Sequence, residues 1–232
     1  MRYILLLMLS FEFLCCSNRP SSTQEEDSYQ IHDDSIVDAK LLSLYFEVKR
    51  DPSSSYIDSA MNVIDSMLYE NRNKEEKQVK YAIQKVLFLT LVNKMDSAVS
   101  FVTKDKSVKW EMLGGPYFKD ILKYRLLAMK AKENNDTYLF KDHIKKALCL
   151  VEKYISENEE EYAFSVRKTI QEQKGKYLLT IHEHIYYTFL LYGQEEADKR
   201  LMMYQEKYQV DKESISQLRQ LYDLDIMDFE PF

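Results

Sequence analysis

Apolar residues recur at intervals of three and four along most of this chain, and the breaks between the runs are short and polar. Val37, Leu41, Leu44, Tyr45 and Val48 predict a first helix over residues 36–48. Asp51-Pro52 ends it, and the serines at 53–55 offer an N-cap for the next. Ile57, Ala60, Met61, Ile64, Met67 and Leu68 mark a second helix. A third covers 79–92, with Val79, Ala82, Ile83, Val86, Leu87, Thr90 and Leu91 inward, and Asn93-Lys94 breaks it. A fourth resumes at 95–102, placing Ala98, Val99 and Val102 inside.

Residues 103–116 interrupt the pattern, and Gly114-Gly115-Pro116 is too costly for a helix interior. The period returns at 117–131 and, after Glu133-Asn134-Asn135-Asp136, at 138–155, where Asp136 or Thr137 can cap. Helices are predicted further at 162–173 and 177–192, the latter apolar nearly all round and therefore expected between neighbours. Gly193 is placed as the residue just past its end. A helix carrying Ala197, Leu201, Tyr204 and Tyr208 follows, and a short one at 214–222 closes the set.

Composition strengthens this reading. The 232 residues hold only four glycines and four prolines, and none between 53 and 113. Sandwiches, barrels and α/β sheets need many more tight turns. The expectation is an all-α chain, over 60% helical, with eight to ten helices. The balance of 32 basic against 38 acidic residues, net −6, gives no clustered positive field for phosphate, so nucleic acid is not expected as a partner.

The amino terminus departs from the rest. Residues 3–16 read YILLLMLSFEFLCC, an apolar run too short for the roughly 20 residues that cross a bilayer. Arg2 precedes it, and the polar SNRPSSTQEEDS follows. The segment resembles a bacterial lipoprotein signal, cut before a cysteine that carries diacylglycerol. The resemblance implies residues 1–15 as signal peptide and Cys16 as the lipidated mature terminus, with Cys15 the alternative. A first buried helix of a cytosolic protein is the competing reading of 4–14. Residues 16–35 are expected to form a disordered acidic tether, 36–222 a single helical domain and 223–232 a tail. The acids from Glu25 onward also resemble the surface-export signal of Bacteroidetes lipoproteins. Together these imply lipid anchoring in the cell envelope, at the outer membrane.

Three junctions are alike: LVNKMDSAVSFV at 91–102, ENNDTYLFKDHIKKAL at 133–148 and LYGQEEADKRLMMY at 191–204. Each is a helix end, a polar turn and a helix with an inward alanine. This resembles the tetratricopeptide repeat, with Ala98 and Ala197 at the small position and Gly193 in the turn. The resemblance implies an α-solenoid of stacked antiparallel hairpins. An irregular helical bundle is the alternative.

Site chemistry is sparse. His182-Glu183-His184 has its histidines two apart, about 200° around a helix, where a zinc site of the HExxH kind needs four. Cys149 is expected as a small buried thiol, with His143 off its face. No catalytic residue, metal or cofactor is expected, and His182, His184 and Cys149 are read as scaffold. Twelve of the eighteen tyrosines lie in the second half, where they either fill helix seams or line a concave binding face. The candidate lining is Tyr177, Tyr186, Tyr187 and Tyr204. Trp110 either packs the loop or lines a groove, with Gly114-Gly115 as hinge. The expected function is a non-catalytic module at a membrane, binding an unknown protein or peptide. A small-molecule or glycan-binding lipoprotein is the alternative.

Overall fold

The computed structural model describes residues 24–158 and 176–208, with the side chains of 24–34, 176–180, 182 and 208 excepted. The signal segment, Cys16, the helices expected at 162–173 and 214–222, and the tail lie outside them. Among the described residues there are nine helices and no strand: α1 (Gln24–Arg50), α2 (Tyr56–Glu70), α3 (Glu75–Leu91), α4 (Met95–Lys104), α5 (Glu111–Gly114), α6 (Phe118–Glu133), α7 (Thr137–Glu157), α8 (Lys176–Tyr192) and α9 (Gln194–Tyr208). Packing gathers them into two units, α1–α4 ending at Lys109 and α5–α9 starting at Trp110.

In the first unit the expected faces are the buried ones. Leu41, Tyr45 and Val48 of α1 meet Ile57, Ala60 and Ile64 of α2 and Tyr81, Leu87 and Phe88 of α3. Helix α3 is buried at every position from Val86 to Thr90, because α1, α2 and α4 all pack on it. That accounts for Tyr81 and Phe88, which a single inward stripe does not predict.

Helix α1 begins at Gln24, twelve residues before the expected start and inside the segment read as tether. Its first residues, Gln24-Glu25-Glu26-Asp27, carry the acidic composition that favours a helix N-terminus. The α1–α2 turn also differs from expectation. Ser55 occupies the N-cap position with helical angles and no side-chain cap. The Asp51 carboxylate instead accepts from the Ser53 amide at 3.1 Å and its hydroxyl at 2.7 Å.

The three similar junctions close with the same backbone device. Asn93, Asn135 and Gly193 all take positive φ, at 60°, 55° and 84°. After α3, the Lys94 amide bonds Leu89 O at 2.8 Å and that of Asn93 bonds Thr90 O at 3.0 Å. After α6, Asp136 bonds Ala131 O at 2.8 Å and Asn135 bonds Lys132 O at 3.0 Å. This is the Schellman pattern, made twice with asparagine. After α8, Gly193 makes the simpler single bond, to Phe189 O at 2.9 Å. Asp136 then caps α7 by accepting from the Leu139 amide at 2.9 Å.

The loop glycines of the second unit permit close approach. A Cβ on Gly115, whose φ is +87°, would lie 2.6 Å from the Tyr154 ring. A Cβ on Gly114 would lie 2.6 Å from the ring of Phe118. Helix α8 packs against α5, α7 and α9, as its all-round apolarity led us to expect.

Candidate functional site

The tyrosine-rich helices α8 and α9 hold most of the residues singled out above. Tyr186 and Tyr187 join Ile121 and Ala128 of α6 and Ile144, Ala147, Leu148 and Val151 of α7 in one apolar core. Tyr186 is 2% exposed, and Tyr187 and Tyr204 are fully buried. Trp110, expected to pack or to line a groove, packs: it is 1% exposed. These four side chains are interior and line no open face. Two adjacent tyrosines on a helix enclosed by neighbours both point into packing, which the sequence alone does not distinguish from a concave surface. The side chain of Tyr177 lies outside the described residues.

Beside that core is a buried polar centre. The Glu183 carboxylate of α8, 3% exposed, lies 3.9 Å from the Arg125 guanidinium of α6. The Tyr187 hydroxyl donates to it at 3.2 Å. One residue on, His184 Nδ1 meets the Tyr204 hydroxyl of α9 at 2.7 Å, with the two rings edge to face. His184 Nε2 lies 3.6 Å from Glu152 of α7, and Arg200 of α9 approaches the same carboxylate at 3.6 Å. A step of one residue turns the helix by about 100°, so Glu183 and His184 serve different neighbours. The side chain of His182 is outside the described residues.

Burial dominates the electrostatics. It pushes the Glu183 carboxyl up to about 7, against the opposing pull of Arg125 and the Tyr187 hydrogen bond. It also raises the Tyr186 hydroxyl to about 12 and that of Tyr187 well above the usual phenol range. Glu152, half exposed, is held below the usual carboxylate range, first by its contact with His184.

Tyr204, with its imidazole partner and a carboxylate behind, has the order of a relay, but its hydroxyl belongs to a fully buried residue that no substrate reaches. Among the described residues no three His, Cys, Asp or Glu side chains converge as a metal would require. Cys149 is free and exposed, correcting the expectation of a buried thiol. On α7 the core takes Ala147, Leu148 and Val151, and position 149 turns away from them. Among the described residues no helix is long and apolar enough to cross a membrane.

Among the described residues the large apolar groups left outside are Met112, Tyr138, Leu139, Tyr192 and Met202 in the second unit, and Ile36, Phe46, Tyr56 and Tyr69 in the first. Tyr138 is 80% exposed and Tyr192 59%. Apart from Tyr192, one of the tyrosines of the second half weighed as seam or binding face, sequence reasoning missed them as candidates, because their position on the helical wheel is read only once the buried stripe is known. The Arg125–Glu183 pair was missed too, since no motif links an arginine on α6 to a glutamate on α8. Comparison with protein-family models, with curated proteins and with solved structures returned no match for this chain.

Proposed function

We propose that this chain is a lipid-anchored helical scaffold of the cell envelope. It holds a protein or peptide partner and carries out no catalysis. The observation that carries the reading is the repeated hairpin, with α3–α4, α6–α7 and α8–α9 each closed by one left-handed residue. Stacking of like hairpins, of the tetratricopeptide kind, makes extended surfaces suited to binding a chain. In the second unit Arg125, Glu183, His184 and Tyr204 are enclosed and meet other side chains of the interior, and the exposed aromatics of that unit, Tyr138 and Tyr192, are left for the partner. The small-molecule or glycan reading loses its stacking residue, because Trp110 is enclosed.

Anchoring rests on the amino-terminal sequence. An apolar run too short to span ends in Cys15-Cys16, and residues 17–23 then lead to α1. Two or more acyl chains supply stable attachment. Intact mass of membrane-extracted protein is expected to show a diacyl or triacyl adduct on a chain starting at Cys16, lost in Cys16→Ser. An unprocessed chain starting at Met1 in the cytosolic fraction would refute it. For binding, a photo-crosslinker at Tyr138 or Tyr192 should trap one partner from native envelopes, and Ala at the same site should lose it with thermal stability unchanged. Equal trapping from exposed positions away from these aromatics would refute the assigned surface.

A further inference from the structure

The Glu183 carboxyl is enclosed yet poorly compensated. A carboxylate has room for about four hydrogen bonds. The described residues provide one donor, the Tyr187 hydroxyl at 3.2 Å, and one guanidinium at 3.9 Å, beyond direct hydrogen-bond reach. A buried ion pair offsets its desolvation only when geometry and hydrogen bonding are good. Among the described residues the groups around it are few. Helix α6 presents Arg125, α8 itself presents Tyr187, and Tyr186 stands by Arg125. Glu152 of α7 and Arg200 of α9 lie on the His184 side, and Glu111, the one acid of α5, is exposed. A neutral carboxylic acid asks less of such a site than an anion does.

We propose that Glu183 is a proton-operated latch on α8. With its proton bound the helix stays packed against α5, α7 and α9 with Glu183 beside Arg125 of α6, and loss of the proton as the medium becomes less acidic favours opening of the helix. The direction follows from linkage. In the packed state the carboxyl is pushed up to about 7, against 4.5 for the group freed into water. The packed state therefore binds the proton more tightly. Between those two values opening is favoured by up to about tenfold per pH unit, and above the upper one it levels off. The two tyrosine hydroxyls keep their protons throughout this window.

Hydrogen exchange of the α8 amides in the full-length chain tests this, with wild type and Glu183→Gln compared from pH 5.5 to 8.5. Dividing one by the other cancels every group that titrates independently of Glu183. The wild-type opening constant relative to the variant is expected to rise more than about tenfold from pH 5.5 to 7.5 and then flatten. A ratio flat with pH overturns the proposal. Should Glu183→Gln not fold, infrared spectra of wild type should show a neutral-acid carbonyl band that disappears as pH passes neutrality. Its absence overturns the proposal equally. In Tyr187→Phe the midpoint of that band should move to higher pH, because the lost hydrogen bond favoured the anion. An unmoved midpoint would assign the titration to another group and overturn the latch.

Discussion

In the first unit, the buried polar side chains Asn71, Gln78 and Thr90 each direct a donor at a main-chain carbonyl. Asn71 Nδ2 reaches Met67 O at 2.9 Å, Gln78 Nε2 reaches Leu68 O, and the Thr90 hydroxyl reaches Leu87 O at 2.8 Å. None of the three is ionisable, and charged pairs such as Lys80–Asp38 and Lys85–Asp65 sit at the rim. In the second unit, Arg125, Glu183 and His184 are buried and meet other side chains, on α6, α7 and α9. A neutral side chain bonded to a main-chain carbonyl is satisfied at every pH, on its own helix as for Thr90 or across to the next as for Gln78. An ionisable one paired across helices ties their packing to protonation. The contrast places responsiveness in the second unit and passive support in the first.

The largest test of that contrast lies in the apolar core. Phe88→Ala should cost about 3–5 kcal/mol, as for other fully buried aromatics. Its cost in the exchange of α3 amides should be the same at pH 6 and pH 8. A cost that changes with pH as α8 opening does would erase the distinction between the units.

Gly115→Ala should come next, at about 2 kcal/mol or more, because positive φ and the Tyr154 ring both oppose a Cβ. The loss should be confined to the exchange of α5–α8 amides and leave α1–α4 protected. Uniform loss across the chain would mean the two units open together.

A smaller pair of substitutions asks where the units agree. Asn93→Ala and Asn135→Ala remove the same left-handed residue from one hairpin of each unit. Each should cost about 1 kcal/mol by thermal denaturation, and Gly at either site should recover it. Unequal costs would show that the shared turn is not a shared energetic unit.

The smallest effect is expected at the rim. Lys80→Ala removes a 2.5 Å ion pair with Asp38, both partly exposed, and should cost about 1 kcal/mol or less. Half-molar salt should shrink the difference. A loss that persisted in salt would show that the Lys80 stem packs rather than its charge.

Much of the fold is legible in particular residues. Leu41, Tyr45 and Val48 at helical spacing identify the buried face of α1, and Asp136 announces the start of α7. The exceptions share a cause. Ser55 does not cap α2, because Asp51 has already ordered the turn before it. Cys149 is exposed although its neighbours are apolar, because only one side of α7 meets the core. The candidate site was less legible. Tyr186, Tyr187, Tyr204 and Trp110 are large and amphipathic, and such residues suit an interior seam and a binding face equally well.

Among the described residues, local rules were sufficient for the all-helical character, for most helix boundaries and for the three like turns; the early start of α1 and the short α5 escaped them. Scarcity of glycine and proline, the 3.6-residue period and left-handed Asn or Gly all act within a few residues of each other. Which aromatics are enclosed, and that Arg125 faces Glu183 across 58 positions of sequence, depended on how the helices pack. Burial is a property of the neighbours a side chain meets, and those neighbours are chosen by tertiary contact. The same carboxyl on an exposed helix face would be an ordinary solvated acid. Enclosed between α6 and α8 it becomes a group that holds its proton up to about pH 7.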